Sequence, residues 1–328
     1  MRSSTGRVLV TSYPFGEIDR EPVQLLETEK LPFTLNPFKR RLREEELSEI
    51  IEPYEGLIAG TDPITEAVLE RATNLRMIAR VGIGLDSVAL RAAKARGIAV
   101  TYTPSAPSAA VAELTVGQIL TLLRQTHTTN REMHEGLWRR RIGRRLGLMT
   151  VGVIGVGRIG RRVIQHIQGW SAQILAHDLH EDLDFFGTYG CTWTGAETIY
   201  RLADIITLHV PLTRRTRGMI GEQQLAIMKP DAILINTARG ELIDEAALVR
   251  ALRARPQFSA AIDVFEEEPY HGALAGAENC LLSSHMGSGT RDARLRMELE
   301  ATQEVVRYFK DQPLACPVPE SEYLTEGE

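Results

Sequence analysis

The sequence predicts an α/β protein of two domains, each a parallel sheet flanked by helices. Three observations carry this. The chain has 328 residues, long for a single hydrophobic core. Short apolar runs alternate with helical stretches along both halves, as βα units require. Near the middle, the apolar run at 151–154 leads straight into Gly155-Val156-Gly157-Arg158-Ile159-Gly160 before helical sequence resumes.

In the first half, residues 7–12 read as a strand, 22–29 as a short helix and 33–35 as a strand. Residues 42–51 place Leu47, Ile50 and Ile51 at helical spacing among acids. Gly-Leu-Ile-Ala at 56–59 is a buried strand, followed by a helix at 64–72 entered through Thr61-Asp62-Pro63. A strand at 77–81 ends in the turn Gly82-Ile83-Gly84. A helix at 87–96 is stopped by Gly97, and 98–101 is a strand. Pro104 and Pro107 mark the domain crossing and the entry to one long helix over 109–135, with Val111, Leu114, Ile119, Leu122 and Leu123 on its apolar face. Strands at 150–154, 173–177, 205–209, 232–236, 260–263 and 280–283 then alternate with helices, which fits a six-stranded doubly wound sheet. A final helix at 291–308 is expected to cross back. The expected domains are therefore 1–104 with 296–328, and 105–295. The tail after Pro313 reads as extended and partly mobile.

Composition narrows the class. Hydrophobic residues are 43% and charged residues 25%, ordinary for a soluble globular chain. A net charge of −5 argues against nucleic acid as a partner. The one dense basic run, Leu137-Trp138-Arg139-Arg140-Arg141-Ile142-Gly143-Arg144-Arg145-Leu146, reads instead as a solvated or subunit-contacting arm, with Trp138 as the anchor of such a contact. No apolar run approaches the ~20 residues a membrane helix needs, and the opening MRSSTGRVLV lacks a signal-peptide core. Cys191, Cys280 and Cys316 lie far apart, without metal-ligand spacing. No metal site is expected, and the sparse odd set suggests a reducing, cytoplasmic compartment.

The glycine cluster has the context of a dinucleotide fingerprint. Gly155 permits the tight turn, Gly157 lets backbone approach a pyrophosphate, and Gly160 lets helix pack close on strand. The pyrophosphate would sit on the helix N-terminus. The next strand ends at Asp178, 18 positions past Gly160. A carboxylate there accepts bonds from ribose hydroxyls and repels the extra phosphate of NADP, and neither His177 nor Leu179 neutralises one. The expected cofactor is NAD. Three further groups follow strands: Asn236-Thr237-Ala238-Arg239-Gly240, Asp263-Val264-Phe265-Glu266-Glu267-Glu268-Pro269 and Ser284-His285-Met286-Gly287. Ligands of open α/β sheets bind outside the carboxyl ends of strands, so Arg239, one of the Glu residues and His285 are expected to converge.

With these blocks in order, the chain resembles the D-isomer-specific 2-hydroxyacid dehydrogenases, and among them the phosphoglycerate-dehydrogenase-like branch. The likeness also rests on residues 56–69, Arg80-Val81-Gly82-Ile83-Gly84-Leu85-Asp86, Ala110-Val111-Ala112-Glu113-Leu114-Thr115 and Leu208-His209-Val210-Pro211-Leu212-Thr213. It implies two Rossmann-like doubly wound parallel-sheet domains with the active site in the cleft between them, and a homodimer. It implies cofactor contacts at Gly155, Gly157, Arg158, Ile159, Gly160, Asp178, Val210, Pro211, Thr237, Ala238, Arg239, Asp263, His285 and Gly287. Asp263 is carried over as a contact near the carboxamide, with a turn cap as the alternative. His209 reads as structural.

Reducing a 2-oxo acid needs a hydride at the carbonyl carbon and a proton at its oxygen. Histidine suits the proton near neutral pH, so His285 is assigned as acid, and as base in oxidation. The family register selects Glu268, directly before the proline, over Glu266 and Glu267 as its carboxylate partner. Arg239 would grip the substrate carboxylate and polarise the carbonyl. Arg80 and the N–H groups of Val81, Gly82, Ile83 and Gly84 are the other expected substrate contacts.

Relatives that bind phosphoglycerate place an Arg after the strand at 56–59; here the chain reads Ala59-Gly60-Thr61 with Asp62 nearby, so a phosphate clamp is weakened there, with Arg80 and the Trp138 arm as alternative sources of cations. Ser87 and Pro107 stand where the family favours Asn. No further domain follows residue 328, so feedback through one is not expected. The expected activity is reversible hydride transfer between NAD(H) and a small 2-hydroxy or 2-oxo acid, with phosphorylated and phosphonylated acids within its range. Two alternatives stay open: a corepressor-like NAD(H)-sensing protein, and a same-fold dehydrogenase of a non-carbon acid such as phosphite.

Overall fold

The computed structural model describes residues 6–323. It resolves into two compact units. One comprises the chain up to Pro107 and from Gly289 onward; the other is Ser108–Ser288.

The first unit carries strands β1 (Val8–Val10), β2 (Phe33–Leu35), β3 (Gly56–Ala59), β4 (Met77–Arg80) and β5 (Ala99–Thr101). Between them run helices α1 (Glu21–Thr28), α2 (Glu44–Ile50), α3 (Glu66–Arg71) and α4 (Leu90–Ala95). The sheet is parallel, in the order β2-β1-β3-β4-β5. Its central strands are apolar runs because both faces are covered. Leu9 joins the core on one face, with Leu47, Leu57 and Ile78. Val8 and Val10 join the core on the other, with Met77, Met297 and Val305.

The second unit holds α5 (Ser108–Arg124), α6 (Thr126–His134), β6 (Thr150–Ile154), α7 (Arg158–Gln168), β7 (Gln173–His177), α8 (Leu183–Tyr189), β8 (Cys191–Trp193), α9 (Ala196–Leu202), β9 (Ile205–Leu208), α10 (Glu222–Ile227), β10 (Ile233–Asn236), α11 (Glu245–Ala254), β11 (Ser259–Ile262) and β12 (Cys280–Leu282). All its strands are parallel, ordered β12-β11-β10-β9-β6-β7-β8. The connection order reverses between β6 and β9, which makes the carboxyl ends of those strands the ligand crevice of this topology.

The structure departs from expectation in five places. The sheet has seven strands rather than six: β8 is a three-residue edge strand, too short and polar to stand out in sequence. The long helix over 109–135 is two helices, broken at Gln125 in the left-handed region (φ 51°). The cause is local. The Leu123 carbonyl, which a continuous helix would offer to the His127 N–H, accepts the Arg144 N–H at 2.9 Å instead. The crossings fall at 107/108 and 288/289, not 104/105 and 295/296, because α12 (Arg291–Phe309) belongs wholly to the first unit. Met297, Ala301, Val305 and Val306 of α12 pack in its core. The helix expected at 87–96 shortens to α4, with Val88 tied to Ile64 by an isolated bridge. The tail is docked rather than loose through residue 323. Val318 donates its N–H to Val100 (3.0 Å) and is buried, and Glu304 accepts the N–H groups of Ala315 and Cys316.

Candidate active site

The glycine loop sits at the end of β6. Gly155 has φ +95°, and a Cβ there would lie 2.5 Å from the His209 carbonyl carbon, so conformation and space both demand glycine. A Cβ on Gly160 would lie 1.9 Å from the Gly155 oxygen, which fixes how closely α7 approaches β6. Gly157 differs: a Cβ there would meet nothing within 4 Å. That open space before the first turn of an 11-residue helix is where a pyrophosphate fits, against free N–H groups and the positive end of the dipole. Arg158 and Gly157 are exposed and Ile159 half-buried. Asp178 ends β7 beside this loop, its Oδ2 accepting the Val156 N–H at 2.6 Å and its Oδ1 the Leu179 N–H at 2.7 Å. On the far side of β6, Val210 packs on the core and Pro211 caps a turn closed by Thr213 and Thr216. The residues present therefore fit an NAD dinucleotide. His209 stays neutral: burial pushes its imidazole down to about 3, and Nε2 pairs with Thr207 Oγ1 at 2.9 Å.

Arg239 stands in the turn after β10. Asn236, fully buried, builds this turn, accepting the Ala238 N–H (3.0 Å) and donating Nδ2 to the Arg239 oxygen (2.7 Å). Thr237 is held against Thr115 of α5 (Oγ1 to Oγ1, 3.0 Å). Arg239 Nη1 donates to the Ala238 oxygen at 2.6 Å.

His285 and Glu268 meet. His285 Nδ1 lies 2.8 Å from Glu268 Oε2 and 3.0 Å from Oε1. A carboxylate can only accept, so Nδ1 carries the proton of this bond and Nε2 is left for chemistry. The pair is partly open, at 38% and 23% exposed. Glu268, as the family register implies, is the acid of the three that reaches the ring; Oε1 also accepts the Phe265 N–H at 3.1 Å.

His285 has φ +51°, a left-handed backbone that costs a side-chain-bearing residue energy. Asp263 holds it there. Its carbonyl accepts the His285 N–H (2.7 Å), Oδ1 the Ser283 hydroxyl (2.5 Å) and the Met286 N–H (3.0 Å), and Oδ2 the Gly287 N–H (2.9 Å). Fully buried and so bonded, Asp263 is a clamp on the turn that carries His285.

In the first unit, Arg80 is buried and donates Nη1 to the Val81 oxygen (2.5 Å). The Val81 N–H is spent on Ala59 O (2.9 Å) and the Gly82 N–H on Thr103 Oγ1 (2.8 Å). The expected run of donors therefore narrows to Ile83 and Gly84, whose N–H groups make no hydrogen bond among the described residues. After β3, a Cβ on Gly60 would lie 3.1 Å from Ser12 Cα and 3.3 Å from Asp62 Oδ2, so a side chain at 60 is hemmed in. Asp62 itself is buried and accepts the Leu42 N–H.

A family model described as D-isomer specific 2-hydroxyacid dehydrogenase, NAD binding domain, matches residues 116–287. The chain belongs to this family. Glyoxylate reductase of Thermococcus litoralis is 34% identical over 262 residues, covering 77% of this chain and 79% of its own. D-3-phosphoglycerate dehydrogenase of Pongo abelii is 36% identical over 280 residues, covering 84% of this chain and 52% of its own. The chain thus spans about half the length of such phosphoglycerate dehydrogenases. D-lactate dehydrogenase of Aquifex aeolicus, solved with NAD and lactic acid, superposes with TM-score 0.82 at 26% identity, covering 93% of this chain and 96% of its own. Against this family background, two residues went unseen in the sequence. Ser283 links the buried Gln118 of α5 (Nε2 to Oγ, 3.0 Å) to Asp263, but a serine in Leu-Ser-Ser-His has no local signal of that role.

Proposed function

We propose that this chain is an NAD-dependent dehydrogenase interconverting a small 2-oxo acid and its D-2-hydroxy acid. The observation that carries the reading is the His285–Glu268 pair, set at the carboxyl ends of a dinucleotide-binding sheet whose neighbouring turn presents Arg239. NAD at the glycine loop supplies the hydride acceptor, or as NADH the donor. In reduction, Nε2 of His285 gives its proton to the oxygen of the 2-oxo group as that oxygen gains charge. Glu268 keeps the Nδ1 proton in place and stabilises the imidazolium from which the transfer starts. Arg239 offers a fixed fork of donors to the substrate carboxylate and the carbonyl oxygen. In oxidation the same Nε2, now unprotonated, takes the hydroxyl proton.

The substrate we infer is unphosphorylated. Gly60 brings no cation to the end of β3, and the nearest side chain there is the carboxylate of Asp62. We also propose a homodimer formed through the exposed arm around Trp138, and a reducing, cytoplasmic setting consistent with the free thiols of Cys191, Cys280 and Cys316. Among the described residues no helix is long and apolar enough to cross a membrane.

The test is NADH oxidation against glyoxylate, hydroxypyruvate, pyruvate and phosphohydroxypyruvate, with NADPH in parallel. Turnover of an unphosphorylated acid with NADH is expected. Preference for phosphohydroxypyruvate would overturn the substrate class, and no turnover despite tight NADH binding would favour a sensing role.

A further inference from the structure

The turn between β11 and Glu268 is organised around the main chain of one residue, Phe265. The Phe265 N–H donates to Glu268 Oε1 at 3.1 Å. The same residue is the floor under the Arg239 turn: a Cβ on Gly240 would lie 2.2 Å from the Phe265 carbonyl carbon and 2.4 Å from the Glu266 nitrogen. Arg239 and the partner of His285 are therefore both referenced to the main chain of Phe265, the one through its C-terminal peptide and the other through its N–H.

Tyr270 holds Phe265 from outside the turn. Its ring stacks on the Phe265 ring, with centroids 4.0 Å apart and planes 21° from parallel. Its hydroxyl donates to Glu245 Oε1 at 2.7 Å, at the start of α11, and accepts the Leu274 N–H at 2.9 Å. The chain wraps closely round it, since a Cβ on Gly272 would lie 2.5 Å from the hydroxyl oxygen. Burial and Glu245 push the phenol up to about 12, so it remains a protonated donor at working pH. Neither Tyr270 nor Phe265 carries a proton or a charge that the chemistry uses.

We propose that Tyr270 is a positioning residue: through the stacked Phe265 it sets where the Glu268 carboxylate meets His285 and where Arg239 stands. The proposal rests on the reading of His285 as proton donor. A rigid aromatic with both ends fixed suits the task, because reacting groups must be held within a fraction of an ångström.

The experiment compares Tyr270→Ala and Tyr270→Phe with wild type by two measurements. The first is kcat and KM for a 2-oxo acid that wild type reduces, with NADH affinity as a folding control. The second is the ring nitrogen resonances of His285 in protein labelled with 15N-histidine, assigned by their loss in His285→Gln. Tyr270→Ala is expected to lose about 10- to 100-fold in kcat, the scale of a misplacement near 1 Å, with KM for the 2-oxo acid raised as Arg239 shifts and NADH affinity nearly unchanged. Its His285 signals should shift from a protonated Nδ1 toward a tautomer mixture. Tyr270→Phe, which keeps the stack, should restore most of both. If Tyr270→Ala does not fold, Tyr270→Leu serves the same comparison. Native kcat and native His285 signals in the truncated variant, whatever its melting temperature, would overturn the proposal, as would failure of Tyr270→Phe to recover. The nitrogen measurement needs no substrate, so an inactive wild type would sink the dehydrogenase reading while the positioning role is still decided.

Discussion

At the scale of single residues, the site divides into groups that do chemistry and groups that hold them. His285→Ala removes the proposed proton donor but no part of the glycine loop. Turnover should fall by about 10²–10⁴, the worth of a general acid, while NADH binding measured by fluorescence persists; lost binding would remove His285 from the acid's role. Asp263 belongs to the second group. Asp263→Asn puts an amide donor against one of the N–H groups of Met286 and Gly287, and should cost about 1–3 kcal/mol, read as a lower denaturation midpoint with a concurrent loss of turnover. These two residues also show what a sequence can reveal. Arg239, Glu268 and His285 stand out as candidates because each sits within a block of neighbouring residues in family order. For Asp263 the sequence offered a turn cap only as an alternative, because its partners Ser283, Met286 and Gly287 come from the next strand and turn, and only the fold brings them to one carboxylate.

At the scale of elements, apolar periodicity located nearly every strand, since parallel strands covered on both faces are apolar without interruption. It failed where a main-chain partner came from elsewhere. Nothing in Leu122-Leu123-Arg124-Gln125 announces that Arg144 will take the Leu123 carbonyl, so the helix break was invisible. Side-chain pairing at helix starts was equally hidden. Glu46, near the start of α2, accepts Arg40 Nη2 (2.6 Å) and the Arg43 N–H (2.9 Å), and Arg40 foremost lowers its carboxyl to about 2. Because the folded value lies below the ordinary 4.5, this contribution to stability is complete above pH 4.5 and disappears as pH falls toward 2. Glu46→Gln should therefore melt below wild type at pH 7, with the gap closing through that acid window. A gap constant with pH would mean the carboxylate charge is not what Arg40 and Arg43 hold.

At the scale of the whole molecule, the basic run that looked like a uniform charged arm is not uniform. Arg141 Nη2 and Arg139 Nη1 pair with the buried carboxylate of Glu132, at 2.6 and 3.4 Å, and Arg144 pairs with Asp231. These bonds pin the arm to its own unit and leave its apolar side chains outward: Trp138 is 78% and Ile142 94% exposed, with Met133 and Leu148 also in solvent. A monomer seldom exposes such side chains together on a fixed segment, and a segment already fixed loses little further entropy on docking. An apolar stretch clamped by ion pairs suits a second copy of the chain better than a polyanion, which would want the arginines free. The net charge of −5 points the same way. Wild type should therefore sediment at twice the monomer mass. The double variant Trp138→Ala, Ile142→Ala should dissociate at least about tenfold more readily, since losing one good interface anchor costs more than 1 kcal/mol. Its melting temperature at high protein concentration should stay close to wild type, because neither side chain is packed in its own unit. A monomeric wild type, or a double variant that sediments unchanged, would show that this face does not join two chains.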